Sequence, residues 1–154
     1  MWYLIDGHNL IPKLGLRLDD PQDEMALVQL LQVVASRKRA KIDVYFDGAP
    51  PGQAGTRRIA GINAHFVPLG RTADDALAAR LAKLGQQAKQ YCLVSSDRRV
   101  QQEGHNRHAQ VMSSEEFALV VRSAQEVAQM DQRENGVESQ EDIETWINLF
   151  NSRN

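Results

Sequence analysis

Two short strands that stop on Asp-Gly constrain this 154-residue chain more than any other feature. Residues 2–5, Trp-Tyr-Leu-Ile, are aromatic or aliphatic throughout and end on Asp6-Gly7. Residues 42–46, Ile-Asp-Val-Tyr-Phe, repeat the pattern and end on Asp47-Gly48. Such runs read as buried strands. Strands buried on both faces belong to parallel sheets covered by helices. Those sheets take ligands beyond the carboxyl ends of their strands. Asp6 and Asp47 would then stand on one edge.

The rest of the chain supplies the other strands and the crossovers. Asp20 and Pro21 open a helix over 22–39, with Leu27, Val28, Leu31 and Val34 at helical spacing. Residues 49–61 are rich in glycine, proline and small residues, and predict a flexible surface loop carrying Arg57 and Arg58. A strand over 63–68 follows, then a helix over 73–87 capped by Thr72, with Asp75 as its capping-box acid. Residues 91–94 form a strand that runs into Ser95-Ser96-Asp97. A short helix over 98–103, a strand over 109–112 and a helix from Ser113 to about Met130 complete the domain, with Glu116 in a second capping box. This alternation predicts an α/β fold with a central, mostly parallel sheet and helices on both faces. Residues 131–154 read as an acidic linker and a C-terminal amphipathic helix. Its Ile143, Trp146, Ile147 and Phe150 either pack on the domain or meet a partner.

Composition narrows the class. Hydrophobic content of 42% fits a globular domain. No apolar run approaches the roughly 18 residues that span a bilayer, and no secretory signal opens the sequence. Cys92 is the single cysteine, in an apolar run, which excludes a disulfide framework and a thiolate zinc site. These features predict a cytoplasmic protein. The formal net charge of −2 hides an uneven distribution. Residues 37–99 hold twelve bases and five acids, whereas residues 131–154 hold six acids and two bases. Four of those five acids are Asp47, Asp74, Asp75 and Asp97. A basic surround with acids held at a few points suits a polyanion brought to a metal.

Each acid has an ordinary explanation, since Asp-Gly is a common turn and aspartate a common helix cap. Their recurrence at successive strand ends is harder to explain that way. Two carboxylates at about 4 Å repel by about 4 kcal/mol at an effective dielectric near 20. A cluster of them calls for a cation, and all-oxygen ligands select Mg2+ or Mn2+ over zinc. Such a site activates water and neutralises charge on a phosphate, so the natural substrate is a phosphodiester.

Four segments in order, Leu-Ile-Asp-Gly-His-Asn-Leu-Ile (4–11), Val-Tyr-Phe-Asp-Gly (44–48), Thr-Ala-Asp-Asp (72–75) and Val-Ser-Ser-Asp-Arg (94–98), resemble the NYN domains of the YacP-like branch, relatives of the PIN-domain ribonucleases. The resemblance covers roughly residues 1–125. It implies a PIN-like three-layer fold and a metal-dependent endoribonuclease cleaving single-stranded RNA. In some members the target is messenger RNA and the ribosome is a partner. Position by position, it implies that Asp6, Asp74 and Asp97 bind metal and that Asp75 does so through water. Asp47 matches the second-strand aspartate, ranked below those three as a ligand. Asn9 would orient Asp6 or touch phosphate, and Ser96 would support the site from behind.

Arg57, Arg58, Arg71, Arg98 and Arg99 flank these acids in sequence and are assigned to phosphate contacts with RNA. His8 reads as a loop residue, and His105 and His108 as parts of a polar loop. No phosphate-binding glycine loop, dinucleotide fingerprint or serine-nucleophile motif is present. Two other readings stay open: a non-catalytic RNA-binding module of the same fold, and a small metal-dependent phosphoesterase.

Overall fold

The computed structural model describes residues 1–135, and side-chain burial through Arg133. The expected C-terminal helix at 140–150 and most of the linker lie outside the described residues. β1 (Trp2–Asp6) leads straight into a helical turn, α1 (Gly7–Leu10), and a 3-10 turn (Ile11–Leu14). There follow α2 (Pro21–Lys38), β2 (Lys41–Ala49), β3 (Gly55–Ile59), β4 (Ile62–Pro68) and α3 (Ala73–Leu84). After a 3-10 segment (Gly85–Gln90) come β5 (Tyr91–Val94), α4 (Arg98–Asn106), β6 (Gln110–Met112) and α5 (Ser114–Asn135). Among the described residues no helix is long and apolar enough to cross a membrane.

The six strands form one sheet in the order β3-β4-β2-β1-β5-β6. All pairs are parallel except β3–β4. One core packs β1, β2 and β4 beneath α2 and α5 through Ile5, Leu31, Phe46 and Phe117. The other packs the opposite face beneath α3 and α4 through Leu4, Tyr45, Leu77 and Val100. β1 neighbours β2 on one side and β5 on the other. The chain reverses its winding there, and that reversal opens a crevice at the carboxyl ends of β1 and β5.

The segment read as a loop over 49–61 is partly strand. Ala49 ends β2, and Gly55–Ile59 pairs antiparallel with β4 across an Ala60-Gly61 turn whose φ values, +52° and +84°, suit a two-residue hairpin. The strand escaped a hydrophobic-pattern reading because it is an edge with most residues exposed on both faces. Its arginines are what an unpaired edge carries against aggregation. α4 extends to Asn106, so His105 is helical rather than in a loop. α5 runs past the expected end at Met130 to Asn135, so the linker's first residues are helical.

Candidate active site

The two Asp-Gly pairs are built for different reasons. Gly7 begins α1 against β2, where a Cβ would meet the Phe46 ring at 2.5 Å and the Tyr45 carbonyl oxygen at 2.9 Å. Only glycine lets β1 turn into α1 at this separation. Gly48 instead has φ +77° and open space around it. It lies where the β2–β4 register shifts between Phe46 and Ala49, a bulge of the kind that re-aims a side chain at a sheet rim. Asp47 is the side chain re-aimed.

Asp6 is the buried acid of the edge, 6% exposed. Burial pushes its carboxyl up to about 6, and Asp74 and then Asp47 push the same way. A hydrogen bond from Ser95 and the backbone N–H of Asn9 oppose them. Ser95 is fully buried, and its Oγ donates to Asp6 Oδ2 at 3.3 Å. The same Oγ accepts the Asp97 backbone N–H at 3.1 Å. The carboxyl of Asp74, at the start of α3, is also raised, by burial first and then by Asp97 and Asp47, against the pull of Arg99. Asp97 caps α4, taking the N–H of Arg99 at 2.8 Å and of Val100 at 3.4 Å on Oδ1. Oδ2 is left for another partner. Charges on separate segments thus reach two of these acids: Asp74 and Asp47 act on Asp6, and Asp97 and Asp47 act on Asp74.

Asn9 supports this edge. Its Oδ1 accepts the Ser96 backbone N–H at 2.8 Å and the Ser114 hydroxyl at 2.6 Å, tying α1 to the end of β5 and the start of α5. Its orienting effect on Asp6 comes through its backbone. Ser96 faces away from Asp6: its Oγ donates to Glu115 Oε2 at 2.5 Å and accepts the Ser114 N–H. Glu115, which also pairs with Lys13 at 2.9 Å, is held down to about 2 by these contacts, that from Ser96 foremost. Ser95 is therefore the support for the acids that the sequence reading missed. The only signal for it was its place, one residue past a buried strand.

His8 is more than a loop residue. Its Nδ1 lies 2.6 Å from Asp47 Oδ1 and its Nε2 lies 2.8 Å from Glu24 Oε2. Glu24 and then Asp47 raise its pKa against the opposing effect of burial. Asp75 is exposed at the rim, its N–H bonded to the Thr72 cap at 3.1 Å. Between α3 and α4 lies a cavity of about 410 Å³ lined by Asp74, Asp75, Arg99 and Glu103, with Ala78 and Val100.

The five arginines do not share one surface. Arg99 lies beside Asp74, and exposed Arg98 opens α4. Exposed Arg71 closes the turn after β4, its N–H bonded to the Pro68 carbonyl. Arg57 and Arg58 are neighbours on a strand and so point to opposite faces. Arg57 lies over the Phe66 ring at 4.4 Å and bonds the Gln53 carbonyl at 2.7 Å. Arg58 pairs with Asn63, which pairs with Asp43. That row is four residues, roughly 13 Å along the strand, from Asp47. Asp43 itself, 1% exposed, is a structural acid. Trp2 Nε1 at 2.5 Å and His65 Nε2 at 2.7 Å bond it. Burial raises its carboxyl, but those bonds and nearby Arg80 outweigh burial and leave it below the usual range.

A family profile described as the YacP-like NYN domain matches residues 3–149. The chain belongs to the YacP-like NYN family. Its fold, a mostly parallel six-stranded α/β sheet, is the PIN-like nuclease fold of that family. The crystal structure of Rae1 (YacP) from Bacillus subtilis is similar, with a TM-score of 0.73 at 18% identity, covering 99% of this chain and 91% of that one. Its W164L mutant gives 0.71 at 21% identity, covering 87% and 82%. At these identities the likeness speaks for the NYN fold alone. No curated protein matches the sequence significantly.

The acids also bear on a metal. Among the described residues no three His, Cys, Asp or Glu side chains stand at the spacing of a ready ligand set. Yet the donors are all carboxylate oxygen, and two of them are held above their ordinary pKa partly by their neighbours' charge. That chemistry fits a hard divalent cation that takes a few protein ligands and completes its shell with water.

Proposed function

We propose that this protein is a divalent-metal-dependent endoribonuclease acting on single-stranded RNA. One observation carries the reading: on the sheet edge of a nuclease fold, burial and then the charge of Asp74 raise the Asp6 carboxyl, and burial and then the charge of Asp97 raise that of Asp74, so acids from three separate segments are coupled. These three residues would hold Mg2+ or Mn2+, with Asp75 at the rim. When bound, such an ion supplies charge neutralisation at the phosphate and activation of water. Ser95 and the Asn9 backbone fix the Asp6 carboxylate by hydrogen bonds. Asn9 and the α4 cap hold the β5 end that carries Asp97. Arg99 beside Asp74, with Arg98 at the start of α4 and Arg71 just before α3, would supply the positive field that draws in a phosphodiester backbone. Messenger RNA as the target, association with the ribosome and a cytoplasmic setting belong to this reading as its biological extension.

The test is cleavage of a labelled single-stranded RNA in Mn2+, Mg2+ or EDTA, comparing wild type with Asp97→Asn. Asparagine is as good an N-cap as aspartate, so the variant keeps α4 while losing the charge. Metal-dependent cutting that disappears in the variant, with RNA binding retained, supports the nuclease. Binding without cutting by either protein would instead make this a docking module.

A further inference from the structure

The cavity beside Asp74 continues away from the acidic edge, and its far part has no task in the nuclease reading. α3 and α4 lie side by side and both run back from the carboxyl ends of the strands. Asp74 and Ala78 are four residues apart on α3, and Arg99 and Glu103 are four apart on α4. Each pair shares one helix face, with Ala78 and Glu103 about one turn, roughly 5–6 Å, farther from the edge. All four line the cavity, together with buried Val100. At about 410 Å³ it lies within the range of small-ligand pockets.

Glu103 is half-buried there. Arg99 and Arg107 stand four residues to either side of it on α4, the spacing of helix ion pairs. Yet among the described residues no ion pair includes Glu103. Nor does it stand at ligand spacing with two other His, Cys, Asp or Glu side chains. The cavity is thus layered: Asp74 and Arg99 at the edge, an apolar wall of Ala78 and Val100, and a carboxylate at the far end. A nucleotide has the same order, a phosphate and then a flat base whose edge carries donors and acceptors. Unstacked bases of single-stranded RNA are read on that edge. A carboxylate only accepts. Guanine alone among the RNA bases presents two adjacent donors, N1–H and the N2 amine, on its Watson–Crick edge. Adenine and cytosine set an acceptor beside their amine, and uracil sets a carbonyl on each side of its N–H.

We propose that this cavity is a base pocket for guanosine in single-stranded RNA, and that Glu103 is the residue that selects it, accepting N1–H and the N2 amine together. Ala78 and Val100 cover a face of the base, and Arg99 serves the phosphate on the edge side. The guanosine pocket rests on the single-stranded RNA reading above and names the base that the strand presents beside the acids.

Fluorescence anisotropy in EDTA on the full chain tests this, with labelled uridine hexamers that carry one internal guanosine, inosine or adenosine. Thermal melts confirm that each protein is folded. Wild type should bind the guanosine hexamer at least about fivefold more tightly than the adenosine one. Inosine, which lacks the N2 amine, should fall between. Glu103→Ala keeps α4, since alanine is the best helix former, and should bind all three alike. Loss of the charge by itself would raise affinity for every hexamer by the same factor, so the ratio reads the pocket. In Mn2+, cuts on a mixed-sequence RNA should fall beside guanosine for wild type and lose that bias in the variant. Wild type that binds the three hexamers alike or cuts without bias overturns the base pocket and leaves the nuclease reading intact. So does a preference that survives in Glu103→Ala. Guanosine preference without cutting overturns the nuclease and leaves the pocket. Folded wild type that binds none of the hexamers overturns the RNA reading and the pocket together.

Discussion

Ser95 joins Asp6 to the segment that carries Asp97: one buried hydroxyl donates to the Asp6 carboxylate and accepts the Asp97 backbone N–H. Replacing it with alanine removes the side-chain donor that holds Asp6 down and leaves the Asp97 N–H without its acceptor, a loss of about 1–3 kcal/mol. Ser95→Ala should lower kcat/KM on RNA, and Mn2+ affinity, by about 10–100-fold. Ser96→Ala, whose hydroxyl serves Glu115 and α5, should cost activity far less. Steady-state kinetics on the two variants checks the contrast.

The buried Asp6 sets a pH dependence in the absence of divalent ions. Its folded pKa of about 6 lies above the ordinary carboxylate value, raised first by burial and then by Asp74. Between those two values the folded state binds the extra proton. Stability from this group is therefore full below about pH 4 and is lost as pH rises to about 6, by at most about 3 kcal/mol. Asp74 contributes in the same direction. Urea melts in EDTA from pH 4 to 7 should show Asp6→Asn gaining on wild type across that window. A constant difference would contradict the assignment.

Gly7 and Gly48 should respond differently to alanine. At Gly7 the new methyl meets the Phe46 ring and the Tyr45 carbonyl, and the backbone cannot yield as a side chain can. Overpacking of this kind costs about 1–3 kcal/mol, a fall in Tm of about 3–10 °C for a chain of this size. It should also displace Asp6 and impair Mn2+ binding. At Gly48 there is room, and the penalty is the positive φ alone, about 1 kcal/mol. Calorimetry on both variants measures the difference.

The arginines should separate on RNA binding. Arg99 lies beside Asp74 and should matter: Arg99→Ala should weaken single-stranded RNA binding several-fold and reduce the salt slope by about one. Arg58 lies in the row of Asp43, away from the acidic edge, and Arg58→Ala should change affinity less than about twofold. Fluorescence anisotropy in EDTA at several salt concentrations reads both.

Much of the scaffold was legible because its signals are local. Thr72, Asp20 and Ser113 cap the helices expected of them, and Ser113 and Glu116 exchange both bonds of a capping box. The buried runs at β1, β2 and β5 are strands in parallel register, so acids at their ends converge. β3 was not legible, because an exposed edge strand has no apolar alternation to read. Nor were Ser95, and His8 with its two carboxylates, because their partners are distant in sequence.

The sequence by itself determined the α/β class, the helix limits set by caps, and the aspartates at the strand ends. Periodicity and capping act within a few residues and leave a direct trace in the chain. Only the tertiary structure decided how those aspartates differ: Asp6 buried on Ser95, Asp97 capping α4, Asp47 bound by His8, Asp43 sealed beneath Trp2 and His65. A carboxylate's charge, reach and partners depend on groups brought to it across the sheet, and no local pattern encodes those distances.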